Sequence, residues 1–258
     1  MTEETVPTTV SGPAGEPAPP AVRPAWGPWV TTGLLFLILV GLLMAQLAVG
    51  MIWLFTFTFH QSSPSGNLAT LQYDGDLVAV TTVAGAAAAI GLAALLVPYH
   101  RGAKLREYLA LKPVHWKTAL LWVGGTLAFL VSYDVLSTAL ERPPTPDFML
   151  QVYNSATLVP LLWIALVLAA PLWEEIVFRG FAFPGLRSAR FGLAAAILAP
   201  NVFWAALHLA QYDAFDMTYV FLLGVLFAFA RERTGSVAMP IILHVLTNAL
   251  ATIQVAFR

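Results

Sequence analysis

The chain has 258 residues, of which 59% are hydrophobic and 10% charged, and its formal net charge is −1. A mean hydropathy of +0.76 and long unbroken apolar runs indicate membrane-spanning helices rather than a β-barrel, whose strands alternate apolar and polar residues. The balanced charge offers no basic surface for nucleic acid, which excludes that partner, and the absence of cysteine excludes disulfides, thiolate metal sites and cysteine nucleophiles.

Apolar runs separated by charged or Pro/Gly-containing breaks predict an all-α, polytopic transmembrane helical bundle. Residues 1–25, rich in Pro, Thr, Gly and Glu, predict a disordered cytoplasmic tail. Seven spans are expected, or eight if the long first run contains a break. Their expected positions are residues 29–59, 77–98, 117–140, 155–183, 190–212, 217–232 and 236–257. We interpret residues 26–150 as N-terminal scaffold helices and residues 151–258 as a separate working region.

Lysine and arginine are concentrated in alternate loops, which predicts the orientation of the chain. The Lys/Arg-rich loops are residues 101–117, 187–190 and 231–233, whereas the loops between them carry mainly aspartate and glutamate. Because positively charged loops stay in the cytoplasm, we expect a multi-pass protein of the plasma membrane with its N-terminus in the cytoplasm.

Few strongly polar side chains fall inside the expected spans, and most of them belong to the C-terminal half. They are Gln46, Asp134, Glu174, Glu175, Arg179, Asn201, His208, His244 and Asn248. A charged side chain at the centre of a bilayer costs at least roughly 2.5 to 3.5 kcal/mol, so such residues usually face a bundle interior or a wet cavity and serve a function. Snorkelling to the headgroups and interhelical hydrogen bonds are the structural alternatives.

Helical spacing divides these residues into two groups. Glu175 and Arg179 are four residues apart and can neutralise each other on one helix face, whereas Glu174 points about 100° away and is left as the unpaired acid. His244 and Asn248 share a face of the last helix. Counted from the cytoplasmic helix ends, Glu174, His244 and Asn248 lie roughly 12 to 18 Å deep, but His208 lies nearer roughly 27 Å.

Several motifs in the C-terminal half resemble those of the CAAX-processing and bacteriocin-processing (CPBP, abortive-infection) intramembrane endopeptidases. The matching elements are Glu174-Glu175-x-x-x-Arg179, Trp204-x-x-x-His208, Gly224, Arg233-Thr-Gly-Ser236 and His244-x-x-x-Asn248. The resemblance covers about residues 155–252, and it departs from the family at Trp204, where a phenylalanine is usual. Residues 1–150 carry no motif of the family, which leaves the choice of substrate open.

The resemblance implies an all-helical membrane protease whose cavity opens to the cytosol and laterally to lipid. It also implies roles for individual residues. Glu174 and His208 would activate a water molecule, His244 and Asn248 would bind the oxyanion, and Glu175 with Arg179 would support the site. The expected substrates are peptide precursors or membrane-associated proteins, including lipidated CAAX-type proteins.

Two further hypotheses remain open. Glu174, His208, His244 and Asn248 could instead hold zinc, since one acid and two imidazoles are common zinc ligands. The sequence contains no His-Glu-x-x-His motif and asparagine is a poor ligand, so a metal-free mechanism without cofactor is favoured. Alternatively, the protein is a non-catalytic membrane scaffold or an immunity or regulatory partner that uses the same polar cluster for binding. A transporter is disfavoured because no inverted repeat is evident.

Overall fold

The computed structural model describes residues 26–60, 68–100, 103–143 and 145–258, so the expected N-terminal tail lies outside the described residues. Within these ranges the chain forms helices and no β-strand, which confirms the all-α prediction. In chain order the helices are α1 (Pro28–His60), α2 (Gly75–Leu96), α3 (Leu105–Tyr108), α4 (Trp116–Ala139), α5 (Asp147–Ser155), α6 (Val159–Arg187), α7 (Gly192–Ala206), α8 (Ala214–Thr234) and α9 (Ala238–Ala256).

Among the described helices, six are long and apolar enough to cross a membrane: α1, α2, α4, α6, α8 and α9. The predicted span at residues 190–212 corresponds to α7, which has only 15 residues. At about 1.5 Å per residue, α7 is roughly 22 Å long, shorter than the hydrocarbon core of about 30 Å. The predicted count of seven spans is therefore not confirmed.

Helix α6 is irregular, and a proline follows its first irregular stretch. Its turns are widened to π-helical geometry over Ile164–Ala169 and again over Glu175–Ala182. Pro171 lies just after the first widened turn and has no N–H group to continue the helical ladder. Such π-helical turns are uncommon and frequently occur at functional sites.

Contacts between loops divide the bundle into two ends of opposite charge. At the basic end, Val237 N–H donates to the Ala110 carbonyl at 3.0 Å, and Arg187 pairs with Glu232 at 3.2 Å. The basic end comprises the described residues of 103–117 together with 187–192 and 232–238. The cations of this end are Lys104, Arg106, Lys112, Lys117, Arg187, Arg190 and Arg233.

The opposite, acidic end comprises the described residues of 68–76, 139–158 and 207–216. Arg142 pairs there with Asp213, and the N–H of Leu158 donates to Asp76 at 2.7 Å. The acids of this end are Asp74, Asp76, Glu141, Asp147, Asp213 and Asp216. Helix α7 and the turn after it therefore carry the chain from one end of the bundle to the other, although α7 itself is short.

The apolar core lies mainly between α1, α2 and the helices α6 to α8. Phe178 and Phe181 of α6 are fully buried in it. The side chain of Gln46 in α1 packs directly on the backbone of α2 at Gly85, where an added Cβ atom would lie 2.9 Å from it. This core fixes α6, which carries the polar cluster.

Candidate active site

Helix α6 carries a buried ion pair that also joins three helices. Arg179 donates to Glu175 at 3.1 Å, and both side chains are almost completely buried. A second guanidinium nitrogen donates to the Gly224 carbonyl at 2.9 Å and to Asn201 at 3.3 Å. Asn201 in turn donates to the Phe221 carbonyl at 2.9 Å. The charge of Arg179 is therefore neutralised and its donors are used to hold α6, α7 and α8 together.

Gly224 allows this close packing. A Cβ atom at position 224 would lie 1.7 Å from Asn201 Oδ1 and 2.7 Å from the ring of Trp204. The guanidinium of Arg179 lies over the same ring, 4.9 Å from its centre. Glycine at this position thus permits α8 to approach α7 closely enough to position the indole of Trp204.

Glu174 is buried, with 7% of its surface exposed, and two side chains from other helices are directed at its carboxylate. The indole N–H of Trp204 donates to Oε2, and Nε2 of His244 lies 3.8 Å from the same oxygen. Spacing on one helix leaves Glu174 without a partner, but α7 and α9 bring both groups to it. The sequence identified Trp204 only as an aromatic motif position four residues before His208, and its contact with Glu174 was not predicted.

His244 connects the two acids of the motif. Its Nδ1 lies 2.9 Å from Glu175 Oε1, the same oxygen that accepts from Arg179. An ionised carboxylate only accepts hydrogen bonds, so Nδ1 carries the proton and Nε2 faces Glu174. The structure therefore brings together Glu174, Glu175, Arg179 and His244, while Glu175 Oε2 has no hydrogen-bond partner among the described residues.

His208 and Asn248 line the same cavity as Glu174 but make their described hydrogen bonds to backbone carbonyls. His208 Nδ1 lies 2.9 Å from the Trp204 carbonyl, and because a carbonyl only accepts, this nitrogen carries the proton. A neutral ring then leaves Nε2 free to accept a proton. Helix α7 ends at Ala206, so His208 lies in the turn that follows rather than deep in a long straight helix.

Asn248 binds a backbone carbonyl of α6 that Pro171 leaves without its helical partner. Ala170 N–H donates to the Ala165 carbonyl, five residues back, and Pro171 has no N–H to give to Leu166 in the same pattern. Asn248 donates instead to the Leu166 carbonyl at 2.8 Å. A polar side chain from a neighbouring helix thus satisfies a backbone group that a proline freed inside a membrane helix. The amide keeps a second N–H for another acceptor.

A cavity of about 770 Å³ extends from these residues. Its walls include Glu174, Trp204, His208, His244 and Asn248. Most of the remaining lining is aliphatic or aromatic and comes from α1, α2, α4, α5, α8 and α9. The cavity therefore joins the buried carboxylate to a large apolar space of the size that holds a ligand or a short peptide segment.

The proposed zinc ligands do not fit a metal centre in this arrangement. Within the described ranges no group of three His, Asp or Glu side chains is placed to hold a metal ion. Of the four candidates, Glu174 and His244 lie 3.8 Å apart, whereas the described hydrogen bonds of His208 and Asn248 go to backbone carbonyls. Structural and catalytic zinc sites need three or four converging donors.

Comparison with known proteins finds a family match within the C-terminal half. Residues 156–250 match the family of type II CAAX prenyl endopeptidase Rce1-like proteins. This segment is similar to the Rce1-like proteins. The match contains every site residue described above and confirms the resemblance read from the motifs. The family that this segment matches is named for endopeptidases.

A relative from Escherichia coli, named as an uncharacterized 24.3 kDa protein, is 28% identical over 133 residues. The aligned part covers 50% of this chain and 61% of the relative, so the chain spans about three fifths of that protein's length. No solved structure matches the chain.

Proposed function

We propose that the Rce1-like segment is an intramembrane endopeptidase in which Glu174 activates water for peptide hydrolysis. The observation that carries the proposal is the placement of Glu174: a buried carboxylate in the wall of a large apolar cavity, with Trp204 and His244 directed at one of its oxygens. Hydrolysis needs a base beside a water molecule and donors near the developing oxyanion. Both kinds of group converge here.

The charges of the cluster support a shared proton. Glu174, Glu175 and Arg179 together leave one negative charge in a buried cluster, and a neutral His244 would direct its Nε2 lone pair at Glu174. One proton held between Glu174 and His244 removes the net charge and the repulsion, and buried charges generally require such compensation. Glu174 and His244 therefore form an acid–base couple, with Glu175 keeping the imidazole oriented.

In the proposed reaction, a water oxygen attacks the carbonyl carbon of the scissile peptide bond and gives its proton to this couple. The couple then protonates the leaving amine as the C–N bond breaks, so no proton is gained or lost overall. Nε2 of His208 is a second acceptor facing the cavity, and the second amide N–H of Asn248 is a donor for the oxyanion. The proposed substrates are membrane-associated proteins, including lipidated CAAX-type proteins, or peptide precursors.

The decisive experiment compares Glu174→Gln with wild type in cells. Glutamine keeps the size of the side chain and its acceptor for Trp204, but it cannot act as a base. Removing a general base typically costs roughly 10² to 10⁴ in rate, so we expect the membrane peptides released by the wild type to disappear. Glu107→Gln, at an exposed glutamate of the basic end, is the matched control.

Equal release of these peptides by Glu174→Gln and wild type would overturn the mechanism. If neither the wild type nor Glu174→Gln released peptides, but both fully complemented a deletion strain, the result would favour the non-catalytic scaffold or immunity partner. Thermal unfolding of purified Glu174→Gln in detergent shows whether the variant is folded.

A further inference from the structure

The cavity extends from the active site toward only one end of the bundle. On α9 its lining residues run from His244 to Val255, on α8 from Phe227 back to Asp216, and on α4 from Leu127 to Ser137. Each of these stretches leads to the acidic end. The segment that joins α4 to α5 and the turn after α7 also belong to the wall, and both lie at the acidic end.

Packed side chains close the other side of the active site. On α6, Phe178 and Phe181 are completely buried between Glu174 and the basic end, and on α9 the same holds for Met239 and Leu243. No lining residue of the cavity comes from the described residues of 97–119, from 183–200 or from 228–240. Within the described structure, the route from Glu174 to the surface therefore leads away from the basic end.

The charge of the two ends then determines which side of the membrane the route reaches. Lysine and arginine in short loops next to membrane spans are retained in the cytoplasm, and aspartate and glutamate have little influence. The basic end carries seven cations, named above, whereas the described acidic end carries two, Arg142 and Arg258 after α9, with an excess of acids. By this rule the basic end is cytoplasmic and the cavity opens on the opposite side.

We propose that the active site receives its substrate from the non-cytoplasmic side of the membrane. The proposal rests on the proposed protease function and narrows the substrate to a peptide segment that has crossed the membrane: a translocated precursor or the outer end of a membrane protein. Aliphatic and aromatic walls suit apolar residues around the cleaved bond. Of the substrates proposed above, this access selects peptide precursors and membrane proteins, because a lipidated C-terminus that stays in the cytoplasm would have no route to Glu174.

Two expectations drawn from the sequence are incompatible in this structure. The charged loops place the basic end in the cytoplasm, whereas the family resemblance implies a cavity that opens to the cytosol. The cavity and the basic end lie on opposite sides of Glu174, so only one of the two expectations can hold for this chain. We keep the orientation given by the loop charges, because these charges are a property of this sequence itself.

The absence of cysteine makes a direct test simple. Three single-cysteine variants are made: Glu107→Cys at the basic end, Asp147→Cys at the acidic end, and Ala251→Cys in the cavity wall. None removes a cation, so the orientation signal is kept. Intact cells are treated with a charged maleimide that does not cross membranes, and labelling is compared with that of lysed cells.

We expect Asp147→Cys and Ala251→Cys to be labelled in intact cells, and Glu107→Cys only after lysis. Labelling of Glu107→Cys in intact cells would overturn the proposal, and so would an Ala251→Cys that reacts only after lysis or not at all. The experiment does not depend on cleavage. It can therefore fail while the protease function stands, and it can succeed in a protein that proves to be inactive.

Discussion

At the scale of single residues, Trp204 donates a hydrogen bond to Glu174. The phenylalanine that the resembling family usually has at this position could not form this bond. Trp204→Phe keeps an aromatic ring but removes the N–H that donates to the carboxylate. Hydrogen bonds to charged groups contribute about 1.5 to 3 kcal/mol. We expect kcat to fall roughly tenfold to a hundredfold, with a smaller change in KM, in a peptide-cleavage assay.

A matched control for this variant is Trp122→Phe, at a partly buried tryptophan of α4 that packs against Phe229 and does not line the cavity. Its kcat should remain that of the wild type. If Trp204→Phe retained the wild-type kcat while remaining folded, the indole would have no positioning role.

Two glutamate–arginine pairs in different surroundings allow the buried cluster to be tested for stability. Glu175→Gln leaves Arg179 and His244 without their anion in a fully buried site, and breaking such a pair typically costs about 3 to 5 kcal/mol. Glu232→Gln breaks the exposed pair with Arg187, and exposed pairs contribute about 0 to 1 kcal/mol. Thermal unfolding in detergent should show a large loss for Glu175→Gln and little for Glu232→Gln; equal losses would contradict this reading.

At the scale of helices, Pro171 and Asn248 act together. The proline leaves the Leu166 carbonyl without an N–H donor, and the side chain of Asn248 binds it. We expect Asn248→Ala to destabilise the protein by about 1 to 3 kcal/mol, since it leaves a partly buried carbonyl of an apolar span unsatisfied. Pro171→Ala restores an N–H to α6, so Asn248→Ala should cost less in that background. A double-mutant cycle measured by unfolding in detergent checks this coupling.

The same cycle separates two roles of Asn248. If the amide also stabilises the oxyanion, Asn248→Ala should lower kcat in both backgrounds, even where its effect on stability has been removed. If the effects of Asn248→Ala and Pro171→Ala on the free energy of unfolding were strictly additive, the hydrogen bond from Asn248 to the Leu166 carbonyl would not depend on the proline.

Helix positions were predictable where an apolar run ends at charge or a turn residue. The prediction 117–140 differs by one residue at each end from α4 (Trp116–Ala139), and 217–232 lies within α8 (Ala214–Thr234). The prediction 190–212 was too long, because the apolar sequence continues through Leu209 while the backbone turns after Ala206. Hydrophobicity measures preference for lipid and does not report where a helix ends. The short helix α5 was not predicted.

The site was predictable only within single helices. Spacing along α6 correctly indicates that Glu175 and Arg179 meet, because both lie on one rigid helix. The contacts of Glu174 with Trp204 and of Glu175 with His244 depend on how α7 and α9 rotate against α6. That rotation is set by close contacts between helices, such as the contact of α8 with α7 at Gly224. Helical periodicity alone does not reveal such contacts.

At the scale of the whole molecule, an ion pair at the acidic end connects the segments that surround the cavity. Arg142, between α4 and α5, binds Asp213 at the start of α8 and lies 3.7 Å from Asp216. The hydrogen bond from Arg142, together with backbone N–H groups of α8, lowers the pKa of Asp213 below its ordinary value. This contribution to stability is therefore complete above the pKa of the unfolded state, roughly 3.9, and it is lost as the pH falls through the lower pKa of the folded state.

We expect acid to weaken this connection, and Asp213→Asn should remove the effect while still capping α8, since asparagine is as good a helix cap as aspartate. Asp213 is more than half exposed, so the difference between wild type and variant should be small, about 0 to 1 kcal/mol. It should be present near neutral pH, begin to shrink as the pH falls below roughly 4, and vanish only below the lowered pKa of Asp213 in the folded state. Unfolding in detergent across this range checks it, with Asp147→Asn as the control because Asp147 forms no ion pair within the described ranges. A difference that persists unchanged at low pH would show that Asp213 acts through something other than its charge.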